Sequence, residues 1–64
     1  MNMEELKQYA RSKANAHPAL RTEIADLVEL AIAEIDTGGS EQHECDLAYR
    51  DIEELIKEAQ RANR

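Results

Sequence analysis

The sequence predicts an all-α fold, a helical hairpin preceded by a short N-terminal helix. Three observations predict it. Helix-breaking residues cluster at two places, Asn15-Ala16-His17-Pro18 and Thr37-Gly38-Gly39-Ser40. The stretches between are rich in Ala, Leu, Glu, Lys, Arg and Gln, the residues that lose least on entering a helix. Val28 and the isoleucines never form the alternating pattern of a half-buried strand.

The first helix is expected over about residues 3–14. Asn2 can cap it, and Glu4 and Glu5 lie at the positive end of its dipole. Its apolar stripe is thin: Met3, Leu6, Ala10 and Ala14, with Tyr9 alongside. Pro18 disfavours helical geometry at His17, so the helix should stop near Asn15. At this length it is marginal alone and must dock on the hairpin or fray.

The second helix is expected over 18–36, with Pro18 at the first position, where its missing N–H is not needed. Leu20, Ile24, Leu27, Val28, Ala31, Ile32 and Ile35 fall within an arc of roughly 140° at helical periodicity. Leu30 stands off this face and widens it. Such a width suits a helix packed against two neighbours.

The turn at 37–40 carries its own mechanism. Gly38 and Gly39 can take the left-handed conformation that ends a helix. Ser40 is a good N-cap for the next helix, with Glu41 and Glu44 in its first turn. A full capping box would need Glu or Gln where His43 stands. A loop this short makes the flanking helices antiparallel neighbours.

The third helix is expected over 41–62. Cys45, Ala48, Ile52, Leu55, Ala59 and Ala62 repeat at three-four spacing, the seam of a heptad pattern, with Tyr49 and Ile56 beside it. Leu47 lies far from that stripe, as Leu30 does from the one before.

Sixty-four residues make one small domain with a single cysteine, too few for an internal disulfide. The large aliphatic side chains number 12, and there is no Phe or Trp. A hairpin with so small a core is under-stabilised, so the expectation is a homodimer that completes a four-helix-type bundle. Its seam would be Leu20, Ile24, Leu27, Val28, Ala31, Ile35, Cys45, Ala48, Tyr49, Ile52, Leu55, Ile56 and Ala59.

Formal net charge is −6. Residues 1–21 balance at +2, residues 22–54 at −10 and residues 55–64 at +2. An acidic chain repels nucleic acid and anionic membrane in general. No stretch approaches the roughly 20 apolar residues of a membrane span. Met1 to Leu6 lacks the layout of a signal peptide, so the expected location is cytoplasmic. The charge pattern gives the hairpin a basic open end and an acidic tip. Two antiparallel copies would set each open end against the other's tip.

No catalytic, cofactor-binding or metal motif emerges. His43-Glu44-Cys45-Asp46 strings four ligand types together, but contiguous helical residues point apart and few can share an ion. No His at 47 completes a His-Glu-x-x-His site. A Cys45–His17 nucleophilic pair would need adjacency in the fold, and acidic neighbours disfavour the thiolate. The many carboxylates read as solvated helix faces. Gly38-Gly39 lacks phosphate-loop spacing. An enzyme is therefore not expected. The leading expectation is an interaction module that binds a protein partner through the acidic tip with Glu34, Asp36, Glu41 and Glu44, through the off-stripe Leu30 and Leu47, or through the N-terminal helix. Two alternatives use nucleic-acid chemistry. In one, the basic ends contact nucleic acid; in the other, the acidic tip mimics a phosphate backbone and occupies a partner's groove.

The run Met3-Glu4-Glu5-Leu6-Lys7-Gln8-Tyr9-Ala10-Arg11-Ser12-Lys13-Ala14, then His17-Pro18, then a Gly-Gly-interrupted acidic hairpin, resembles small accessory proteins of lambdoid bacteriophages. It is similar to the short reading frames between the exonuclease and excisionase genes of the early region. That resemblance implies a non-enzymatic protein made early in infection that acts on host or phage factors in the host cytoplasm. It implies no site residues.

Overall fold

The computed structural model describes residues 1–62 and contains three α-helices, α1 (Met3–Ala16), α2 (Arg21–Asp36) and α3 (Glu41–Ala62). The described residues contain no strand. Helices α2 and α3 form the hairpin, and α1 docks along it, packing against both. The result is a three-helix bundle about 40 Å long and 17 Å across.

Each boundary has a local cause. Asn2 caps α1 by accepting the Glu5 N–H at 2.8 Å, while Glu5 Oε1 accepts the Asn2 N–H at 3.0 Å. This reciprocal pair is a full capping box. Helix α1 runs on to Ala16, two residues past the expected end, closed by the His17 N–H donating to the Lys13 carbonyl at 2.8 Å. Pro18–Leu20 then form a single 3-10 turn, so α2 starts at Arg21 rather than at the proline. The tight turn reverses the chain between two helices that lie side by side.

At the other end of α2 the turn is a Schellman motif. The Gly39 N–H donates to the Glu34 carbonyl at 2.8 Å and the Gly38 N–H to the Ile35 carbonyl at 3.1 Å. Only Gly38 has a positive φ, 105°. Gly39 is required for a different reason: a Cβ there would sit 2.8 Å from the Glu34 carbonyl oxygen. The expectation of two left-handed glycines is thus corrected to one left-handed glycine and one of close approach. Ser40 opens α3, its hydroxyl accepting from the His43 N–H at 3.4 Å.

All three helices supply the core: Leu6 and Ala10 from α1, Ile24 and Ala31 from α2, and Cys45, Ala48, Ile52 and Ile56 from α3. Leu20, Leu27, Val28, Ile35 and Leu55 pack half-buried around it. The heptad seam expected in α3 drifts. Ile56 is buried and Leu55 only half so, because α3 faces two helices and its buried face is wider than a two-helix seam. Ala59 is half-buried. Tyr49 flanks that seam. It is exposed, its ring centroid 4.5 Å from that of Tyr9 on α1.

Helix α1 runs alongside α3 in the same direction, so their N-termini meet. Met3 N–H donates to Glu41 Oε2 at 2.8 Å, and the Met1 ammonium pairs with Asp46 Oδ1 at 3.0 Å. The wide apolar face of α2 therefore has its second neighbour within the chain.

Candidate functional site

Leu30 and Leu47, the two leucines that fit neither helical stripe, come together in the fold. They stand on opposite edges of one shallow groove between α2 and α3, with Leu27, Ala31 and Ala48 at its base and Glu34, Glu44 and Asp51 around it. Leu30 is 60% exposed and Leu47 38% exposed. Together with Tyr49 they are the large apolar side chains most open to solvent in the described chain. Two such leucines side by side form an apolar patch, where isolated exposed leucines would need no explanation.

This pairing was available to sequence reasoning. In an antiparallel hairpin, residues equidistant from the turn lie opposite each other. Leu30 and Leu47 are equidistant from the Gly38-Gly39 bond. Reading each helix by itself hides that symmetry.

The acids named for a partner surface divide into two sets. Glu34 and Glu44 line the leucine-edged groove. Glu41 is held at the bundle tip by the Met3 N–H, and its neighbour Asp46 by the Met1 ammonium. The ammonium is correspondingly pushed above its ordinary value, chiefly by its hydrogen bond to Asp46. Asp36 is exposed at the end of α2. Of the acids near the tip, Asp46 is thus balanced by a cation, while Glu41 keeps its charge and is fixed in place by a hydrogen bond.

Cys45 is fully buried, and burial first, then Glu41, pushes its thiol up. Both effects oppose a thiolate. His17 follows the far end of α1, roughly 20 Å away along a helix of this length, so no Cys45–His17 pair forms. The row His43-Glu44-Cys45-Asp46 splits as helical geometry requires: His43 and Asp46 are exposed, Glu44 is half-buried and Cys45 points into the core. Among the described residues no three His, Cys, Asp or Glu side chains group to hold a metal ion. No helix there is long and apolar enough to cross a membrane.

Tyr9 lies between α1 and α3 with Lys13 Nζ 5.6 Å from its ring centroid, a cation–π geometry. Burial, reinforced by the nearby Glu53 carboxylate, pushes its hydroxyl well up, and Glu53 does the same for Tyr49. The two rings, each beside its own helix's apolar stripe in the sequence, form a clamp between α1 and α3.

No family model, curated protein or solved structure matches the chain.

Proposed function

We propose that this protein is a non-enzymatic helical interaction module that acts by binding another protein, with the α2/α3 groove as its contact surface. The observation that carries this reading is the juxtaposition of Leu30 and Leu47 on one exposed groove. Exposed leucines side by side are the kind of apolar centre that a protein partner covers, and Glu34, Glu44 and Asp51 supply a polar rim. Homodimerisation is one form of this reading, with a second copy as the partner. The resemblance to early lambdoid phage proteins points to a host or phage factor in the host cytoplasm as another.

Two features favour this reading over nucleic-acid binding. Net charge is −6, and the tip acids Glu41 and Asp46 are engaged by the chain's own N-terminus. The test is affinity capture from host lysate with the wild-type chain and with Leu30→Gln/Leu47→Gln, read by mass spectrometry. Proteins held through the groove are captured by the wild type and by the exposed-site control Thr22→Ala, and are lost from the leucine variant. Equal capture by all three chains overturns the assignment of the groove.

A further inference from the structure

The α1/α2 side of the bundle carries a second groove, opposite in charge to the leucine-edged one. Its floor is aliphatic and mostly small, with Ala10, Ala14 and Val28, and it opens to about 250 Å³. Lys7, Arg11 and Arg21 line it against a single acid, Glu29. None of these three cations is ion-paired among the described residues, where the one ion pair joins Met1 to Asp46. In a chain with 14 acids and 8 bases, three unpaired cations have been gathered around one apolar floor.

Such a groove selects an occupant that is aliphatic at its centre and acidic at its edges. Nucleic acid offers the charge without the aliphatic centre. The leucine-edged groove of this same chain offers both: Leu30 and Leu47 project, and Glu34, Glu44 and Asp51 surround them. Alanines on the receiving floor leave room for projecting leucines, as ridges of one helix pair fit grooves of another. The two surfaces flank the buried face of α2 on its two sides, so one copy cannot fill its own groove.

Resting on the reading of the leucine-edged groove as a protein contact, we infer that its partner is a second copy of this chain, whose Lys7–Arg11–Arg21 groove receives Leu30 and Leu47. The contact joins two different surfaces, so copies associate head to tail. It replaces the pairing of open end with acidic tip that charge order alone suggests, because the unpaired cations line the groove and the tip acids Glu41 and Asp46 are already engaged.

Sedimentation equilibrium of the full chain tests this at about 100 µM, where a contact of roughly 10 µM Kd is mostly occupied. The wild type is expected to exceed the monomer mass. Arg11→Glu/Arg21→Glu and Leu30→Gln/Leu47→Gln are each expected to associate at least about tenfold more weakly, since each loses one half of the contact. All four positions are exposed, and far-UV circular dichroism checks that the helices persist. Lys7→Glu reaches the same groove by a third position. An equimolar mixture of the two double variants retains one intact surface of each kind, and it is expected to recover a mass of two chains and no more.

A monomeric wild type, variants that associate like the wild type, or a mixture that stays monomeric each overturns the inference. So does an arginine-dependent gel shift with a labelled oligonucleotide, which would give the groove to nucleic acid. A monomeric wild type that still captures a host protein through Leu30 and Leu47 would defeat this inference alone. Equal capture by the leucine variant would defeat the reading beneath it.

Discussion

Replacing Leu6 by alanine isolates the contribution of α1. Leu6 is 0% exposed and is the largest α1 side chain in the core, which it shares with Ile24, Cys45 and Ile52. Removing its isobutyl group deletes transfer energy and leaves a cavity between three helices, a loss of about 2–5 kcal/mol. A domain of this size has a total stability of roughly 3–10 kcal/mol. The single substitution therefore removes a large share of it. At about 4–8 °C per kcal/mol, Tm should fall by at least ~8 °C. Urea and thermal melts followed at 222 nm measure both quantities. Leu30→Ala is the control in melts at about 1 µM chain, well below a roughly 10 µM Kd: at 60% exposure it has little burial to lose and should change stability by less than about 0.5 kcal/mol. A loss below about 1 kcal/mol for Leu6→Ala would instead mean that α1 frays from an independently stable hairpin.

Three other perturbations have defined outcomes. Gly39→Ala should destabilise by about 1–3 kcal/mol in the same melts, since its Cβ meets the Glu34 carbonyl oxygen at 2.8 Å; Gly38→Ala should cost about 1–2 kcal/mol through its positive φ alone. Cys45 should resist a thiol reagent such as Ellman's in the native state and react at once in denaturant, and rapid native labelling would contradict its burial. Stability should fall on the alkaline side. The Met1 ammonium is raised by Asp46, so its contribution is complete below the unfolded value near 8 and is lost as pH rises through the folded value. The raised Cys45 and Tyr9 groups follow the same sign at higher pH, because the unfolded chain ionises first. Urea midpoints from pH 7 to 10 should decline in the wild type and decline less over the first part of that range in Asp46→Asn.

Local signals carried most of the fold. Asn2, Pro18, Gly38 and Ser40 each act at a helix boundary through backbone geometry that neighbours in sequence decide. The docking of α1 was not decided locally. Its stripe of Met3, Leu6, Ala10 and Ala14 is too thin to show by itself that a second face awaits it. The width of the α2 face was the visible half of that fact, and its complement turned out to lie upstream in the same chain. The heptad pattern of α3 presumes one neighbour where there are two, so Leu55 within it is only half-buried while Ile56 beside it is buried. The site was half legible. Leu30 and Leu47 stand out from their own helices, but their meeting depends on the register across the turn. The basic groove was not legible, because Lys7 and Arg11 join Arg21 only when α1 lies antiparallel along α2.

Side-chain footprinting reads the proposed Leu30–Leu47 contact surface residue by residue. Hydroxyl radicals oxidise exposed leucines in the free chain, and the same chain is then probed in its captured complex. Leu30 and Leu47 should both be protected in the complex, while exposed Tyr49 on the α1/α3 side keeps its free-state rate. Unchanged oxidation of both leucines, with protection at Tyr49 instead, would move the contact from the α2/α3 groove to the α1/α3 side.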